Sequence, residues 1–149
     1  MKWHAALAGA LASALVMIVA SVNAASAEVR IVNDPGGEVS SYIHKFQAVG
    51  SSGQRVVIDG PCLSACTLLT AFVPKEHICV TSRAVLGFHA ASYYDDTSRS
   101  LVPTREGTRL VMRLYPAEIK NWIQRHGGLT PRLMTLRGRE LAGLYSTCH

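Results

Sequence analysis

Apolar positions along this chain fall in short blocks, and their spacing switches repeatedly between the strand period and the helix period. Val29-Arg30-Ile31-Val32 is a strand-type run that meets a turn sequence, Asn33-Asp34-Pro35-Gly36-Gly37. Val39, Tyr42, Ile43 and Phe46 then recur at helical spacing and predict a helix with one apolar face, broken at residues 50–53. Arg55-Val56-Val57-Ile58 reads as a second, buried strand, and Asp59-Gly60-Pro61 turns out of it. Residues 64–72 form a compact apolar helix in this reading, with Ser64 suited to its N-cap and Pro74 beyond its end. Ile78-Cys79-Val80-Thr81 and Ala84-Val85-Leu86-Gly87-Phe88-His89 predict two more short strands, and residues 93–104 read as a polar loop. Leu110, Val111 and Leu114 predict a helix. Pro116 suits the first position of another, whose apolar face is Ile119, Trp122 and Ile123. Gly127-Gly128 stops that helix, and Thr130-Pro131 opens a last one. Strands alternating with helices predict an α/β layer fold with a short, mainly parallel sheet and flanking helices.

The start of the chain follows a different pattern. Lys2 precedes an apolar, Ala-rich run over residues 5–20, and Ala25-Ser26-Ala27 fits the small-residue rule of a leader cleavage site. Residues 1–27 are therefore expected to be a signal peptide, and the protein to be exported, periplasmic or secreted. The Ala-rich core is short for a membrane anchor. Residues 28–149 are enough for one compact domain.

Composition narrows the classes. Beyond residue 27 the chain holds 14 basic and 10 acidic residues, with the arginines scattered singly among apolar positions. No basic block interleaved with aromatics is present, so a nucleic-acid partner is not expected. Four cysteines, Cys62, Cys66, Cys79 and Cys148, suggest two disulfides in an exported chain, with three pairings open. A Cys3His metal set of Cys62, Cys66, Cys79 and His89 is the rival reading, but its spacing departs from the usual paired clusters and no metal is expected.

Three features can carry chemistry: the Gly36-Gly37 turn, Ser64 at a strand-to-helix junction, and His89 at a strand end. Singly, each has a plain explanation as a tight turn, a helix cap and a core histidine bonded to the backbone. Together they fit acyl transfer. A serine hydroxyl needs an imidazole to take its proton, and the transition state needs N–H donors aimed at the developing oxyanion. A helix start has free N–H groups, and a Gly-Gly turn brings backbone close because no Cβ intervenes.

These segments resemble a family. Ile31-Val32-Asn33-Asp34-Pro35-Gly36-Gly37-Glu38-Val39 is similar to the N-S-P-G-G-x-V stretch of the Clp protease proteolytic subunit and its crotonase-superfamily relatives. Gly60-Pro61-Cys62-Leu63-Ser64-Ala65-Cys66 is similar to the family's nucleophile region, and Ser82-Arg83-Ala84-Val85-Leu86-Gly87-Phe88-His89 to the segment ending in its histidine. The chain looks closest to exported, cysteine-containing relatives. The resemblance implies a truncated Clp-protease/crotonase-like fold built on ββα units. It implies Ser64 as nucleophile, His89 as general base, and the N–H groups of Gly37 and Ala65 as the oxyanion hole. Where the family carries its triad aspartate, Pro131-Arg132-Leu133-Met134-Thr135 holds no carboxylate. Losing an orienting acid lowers the rate by orders of magnitude without abolishing catalysis. Glu140 matches a different position, and Asp95, Asp96 and Glu106 are the candidate substitutes. Nothing matches the family's first strand–helix unit or its ring-building insertion, so neither a Clp-like ring nor an ATPase partner is expected.

The leading expectation is an exported serine hydrolase, a peptidase acting on a peptide or other acyl substrate without a cofactor. The alternative is a catalytically inactive domain that binds a ligand or protein in the same cleft. A third reading makes Cys62 or Cys66 a reactive thiol. The preferred disulfide pairing is Cys62–Cys66, closing a short loop around Ser64, with Cys79–Cys148 stapling the C-terminus to the strand ahead of His89.

Overall fold

The computed structural model describes residues 27–149. Apart from Ala27, the expected signal segment lies outside the described residues. The frame is a four-stranded parallel sheet. Its strands are β1 (Val29–Ile31), β2 (Val56–Ile58), β4 (Ile78–Val80) and β9 (Ser146–Thr147), in the order β1-β2-β4-β9. Val56, Val57 and Ile58 are all buried, as expected for a central parallel strand covered on both faces. A second, three-stranded sheet joins β3 (Pro61–Leu63), β5 (Val85–Phe88) and β8 (Met134–Arg137), with β3 parallel and β8 antiparallel to β5. The α/β, mainly parallel arrangement anticipated from the alternating pattern is thus the one the chain adopts.

Helix α1 (Val39–Ser51) fits the predicted apolar face, with Phe46 fully buried and Val39, Tyr42 and Ile43 packed against the core. Its first turn is held by Glu38, whose carboxylate accepts from the Ser40 and Ser41 N–H groups at 3.0 and 2.8 Å. The helix runs through Gly50, which lies so close to the Phe72 carbonyl that a Cβ there would meet it at 2.0 Å. Helices α3 (Arg105–Leu114) and α4 (Ala117–Arg125) follow the expected order, with Pro116 one position earlier than predicted, as the N-cap of α4. Ile119, Trp122 and Ile123 of α4 are buried, and Phe88 meets the Tyr115 ring edge-on at 5.5 Å.

Several local expectations are corrected by tertiary pairing. Pro61 does not only turn the chain, because it opens β3 beside β5. Residues 92–103 are not a loop but a hairpin of β6 (Ser92–Asp95) and β7 (Ser100–Pro103). Thr130-Pro131 opens no helix. Strand β8 follows instead, and its backbone is used by β5, a pairing that outweighs local preference. The last helix, α5 (Gly138–Ala142), precedes the short terminal strand. Residues 64–72 divide into a 3-10 turn, Ser64–Leu68, and a short helix α2, Leu69–Phe72.

Both disulfides follow the preferred pairing, with Cα–Cα separations of 5.3 Å for Cys62–Cys66 and 5.1 Å for Cys79–Cys148. Two such bridges are consistent with an exported protein. They leave no free thiol among the described residues, which overturns both the Cys3His and the reactive-thiol readings.

Candidate functional site

The site is assembled where β3 and β5 leave their sheet. These strands are parallel, with Leu63 opposite Gly87, so Ser64 and His89 emerge from the same edge on neighbouring strands. At Ser64 the backbone turns into the 3-10 helix through φ +55°, the left-handed region. For a residue other than glycine that conformation stores on the order of 1–3 kcal/mol, and it persists only where the surroundings impose it.

Three neighbours impose it here. The Cys62–Cys66 bridge spans the turn. From below, the Thr67 hydroxyl donates to the Ser64 carbonyl at 2.6 Å and shares a 2.6 Å bond with the Tyr115 hydroxyl. Burial pushes that phenol up to about 12. From the side, Gly36 presses on the turn. A Cβ at Gly36 would lie 2.5 Å from the Leu63 carbonyl oxygen, 2.7 Å from the Ser64 Cβ and 2.8 Å from the Ala65 nitrogen. With φ +82°, Gly36 also needs the backbone freedom that only glycine has at low cost.

By its sequence position Ser64 suits either a nucleophile or a helix cap. The cap explanation is not what the chain uses. Leu63 occupies the N-cap position, and the Ser64 hydroxyl makes no hydrogen bond among the described residues.

Asp34, which the sequence reading passed over, stitches the Gly-Gly loop to this turn. Its N–H donates to the Pro61 carbonyl and its carbonyl accepts from the Leu63 N–H, both at 2.8 Å. Its carboxylate accepts from the Gly36 N–H at 2.9 Å, from the Tyr42 hydroxyl, and from Lys45 Nζ at 3.1 Å. Burial acts to raise the Asp34 carboxyl, but these donors outweigh it and leave it below the usual range. The signal was present in the sequence. An Asp two residues before a turn glycine commonly accepts that glycine's N–H. With the Gly36 N–H so occupied, the Gly37 and Ala65 N–H groups have no backbone or side-chain acceptor among the described residues.

His89 is half-buried, and its Nδ1 lies 2.7 Å from the Ala90 carbonyl. A carbonyl only accepts, so in the neutral ring Nδ1 carries the proton and Nε2 holds the free lone pair. The backbone partner anticipated by the plain explanation of this histidine is therefore present. No hydrogen bond joins Ser64 to His89, and no carboxylate bonds the imidazole among the described residues. Asp95 caps the hairpin turn at the Ser98 N–H, 2.6 Å away, and Glu140 lies 4.0 Å from His126. Neither Asp96 nor Glu106 forms an ion pair among the described residues. The segment after His89 is fixed on both sides. Ala90 N–H donates to the Thr130 carbonyl at 2.7 Å and Ala91 N–H to the Thr108 hydroxyl at 3.0 Å.

The fold is similar to that of a mutant ClpP1 from Listeria monocytogenes, with a TM-score of 0.53 and 16% sequence identity over 79% of this chain and 68% of that one. The likeness speaks for a distant Clp-like fold. No protein-family model and no curated sequence matches the chain.

Proposed function

We propose that this chain is an exported serine hydrolase, a peptidase in which Ser64 is the nucleophile and His89 the general base. The observation that carries the reading is the left-handed Ser64 backbone, because strain of this kind clusters where a side chain must be aimed. In the proposed cycle, Ser64 Oγ attacks the scissile carbonyl carbon while its proton passes to His89 Nε2. The carbonyl oxygen becomes an oxyanion held by the N–H groups of Gly37 and Ala65. Collapse breaks the C–N bond, and the leaving amine takes the proton from His89. Water then attacks the ester under the same base, returning the serine and releasing the acid. The Ala90 carbonyl supports this by holding the tautomer whose Nε2 can accept, a part that a carboxylate otherwise fills. No ATPase partner is part of the proposal.

A fluorophosphonate probe tests it on the exported protein. Wild type is expected to be labelled at Ser64, and Ser64→Ala and His89→Ala to be unlabelled while remaining folded. Equal labelling of wild type and Ser64→Ala would end the reading. Intact mass of the same material is expected to begin at Glu28, after Ala25-Ser26-Ala27.

A second reading has its own support. The imidazole is bonded to a carbonyl and has no acid bonded to it among the described residues, which suits a non-catalytic domain that holds a ligand or partner in the same cleft. A folded wild type that never labels, yet retains a peptide, is the outcome this reading expects.

A further inference from the structure

A cavity of about 460 Å³ is lined by Ala90, the residue that follows His89, and by Pro103, Thr104, Arg105, Thr108, Arg109 and Leu129. Its polar wall is largely satisfied from within. Thr108 Oγ donates to the Thr104 carbonyl at 2.7 Å and accepts from the Ala91 N–H, and the Thr104 N–H donates to the Ala91 carbonyl at 2.8 Å. These bonds lock α3 onto the strand extension after His89, so the cavity keeps a fixed position relative to the imidazole. The floor that remains, Ala90, Pro103 and Leu129, is apolar and offers no hydrogen bonds from its side chains.

Two cations stand in this lining. Arg105 and Arg109 stand four residues apart on α3, hence on one helix face. Neither Arg105 nor Arg109 has an acidic partner within 4.0 Å among the described residues, although Glu106 lies between them in sequence. A guanidinium presents a planar fork that matches a carboxylate, and two at one rim favour an anion over a neutral group of the same shape.

We infer that this cavity is the subsite for an acidic side chain of the substrate, so that the enzyme prefers peptides with Glu or Asp next to the scissile bond. The inference rests on the Ser64–His89 reading for its link to cleavage, and on the cavity and its two unpaired arginines for its charge selectivity. The aliphatic stem of a Glu side chain lies on the apolar floor, and its carboxylate reaches the arginine rim.

The test separates the two. Blocked hexapeptides differing only in a central Glu, Gln or Lys compete against fluorophosphonate labelling of the full exported protein. The Glu peptide is expected to protect at a concentration lower than the Gln peptide by roughly tenfold, with Lys weakest. In Arg105→Gln/Arg109→Gln the Glu-to-Gln ratio is expected to fall to near one, and in Arg105→Glu/Arg109→Glu the order is expected to invert toward Lys. Ratios within each variant are compared, so a change in labelling rate itself cancels. A wild-type ratio near one, or a ratio that survives both double variants, overturns the subsite. If wild type does not label at all, the hydrolase reading fails by itself. Anisotropy of the same peptides carrying a fluorophore then reads the ratio directly, with the same outcomes for and against the cavity.

Discussion

The four-stranded and three-stranded sheets of this protein each carry one disulfide, and the bridges hold different things. Cys79–Cys148 joins β4 to the chain just past β9, across a sequence separation of 69. It ties down a strand of only two residues and closes the edge of the frame. Cys62–Cys66 spans a separation of 4 and lies wholly within the turn that carries Ser64. In the chain-entropy model the long loop contributes about 4 kcal/mol and the short one about 2. The weaker staple sits where Ser64 takes a left-handed backbone. The difference indicates that one bridge serves the stability of the whole and the other the shape of one turn.

The comparison is broken most severely at Gly36. Gly36→Ala sets a methyl against the Leu63 carbonyl and the Ser64 Cβ, at a backbone angle alanine disfavours. Misplacing the proposed nucleophile this way is expected to lower fluorophosphonate labelling by about 100-fold or more. Labelling rate measured on folded, circular-dichroism-checked protein decides it, and an unchanged rate would show that the Gly36 contact plays no part in aiming Ser64.

Next comes the frame bridge. Cys79→Ser/Cys148→Ser is expected to lose about 4 kcal/mol of stability, read by urea unfolding. Well below its melting temperature it should label at nearly the wild-type rate. Removal of the site bridge, Cys62→Ser/Cys66→Ser, is expected to reverse the proportions, losing about 2 kcal/mol but lowering labelling more than the frame variant does. If both double variants lose labelling in proportion to stability, the division of labour between the bridges is wrong.

The smallest effect concerns a charge in the frame. Asp59, at the end of β2, accepts from Arg83 at 2.6 Å, from Thr81 at 2.8 Å and from Arg30 at 3.0 Å. The Arg83 guanidinium and the Thr81 hydroxyl hold its carboxyl at about 2. A carboxyl lowered in the folded state stabilises it above the unfolded value, near 4, and that contribution is lost as pH falls through about 2. Asp59→Asn is therefore expected to be less stable than wild type at neutral pH, with the gap closing between about pH 4 and pH 2. A gap independent of pH would assign the cost to lost packing and not to charge.

Much of the scaffold was legible beforehand. Val39, Tyr42, Ile43 and Phe46 specified α1 because helical spacing gathers them on one face, and Val56-Val57-Ile58 specified a buried strand because every residue in it is apolar. The order of the Gly-Gly turn, Ser64 and His89 was legible too, and of the three cysteine pairings left open the preferred one is formed. Residues 130–137 were misread because a Thr-Pro pair favours a helix start locally, whereas β8 exists only through its ladder with β5. The hairpin over residues 92–103 was missed because its exposed, polar composition lacks the apolar run that marks a buried strand.

The sequence by itself determined which residues could do chemistry and that they arrive in the right order along the strands. Only tertiary structure decided how each one is presented. Ser64 takes a left-handed backbone because a bridge, a threonine and a glycine converge on it from three directions. The Gly-Gly loop is seated by Asp34 through groups on β3 and α1. His89 exposes Nε2 because a neighbouring carbonyl claims Nδ1. Each of these depends on atoms brought together from distant or differently oriented segments, or on a local bond chosen by the surrounding chain, and a linear pattern of residue types carries no such information.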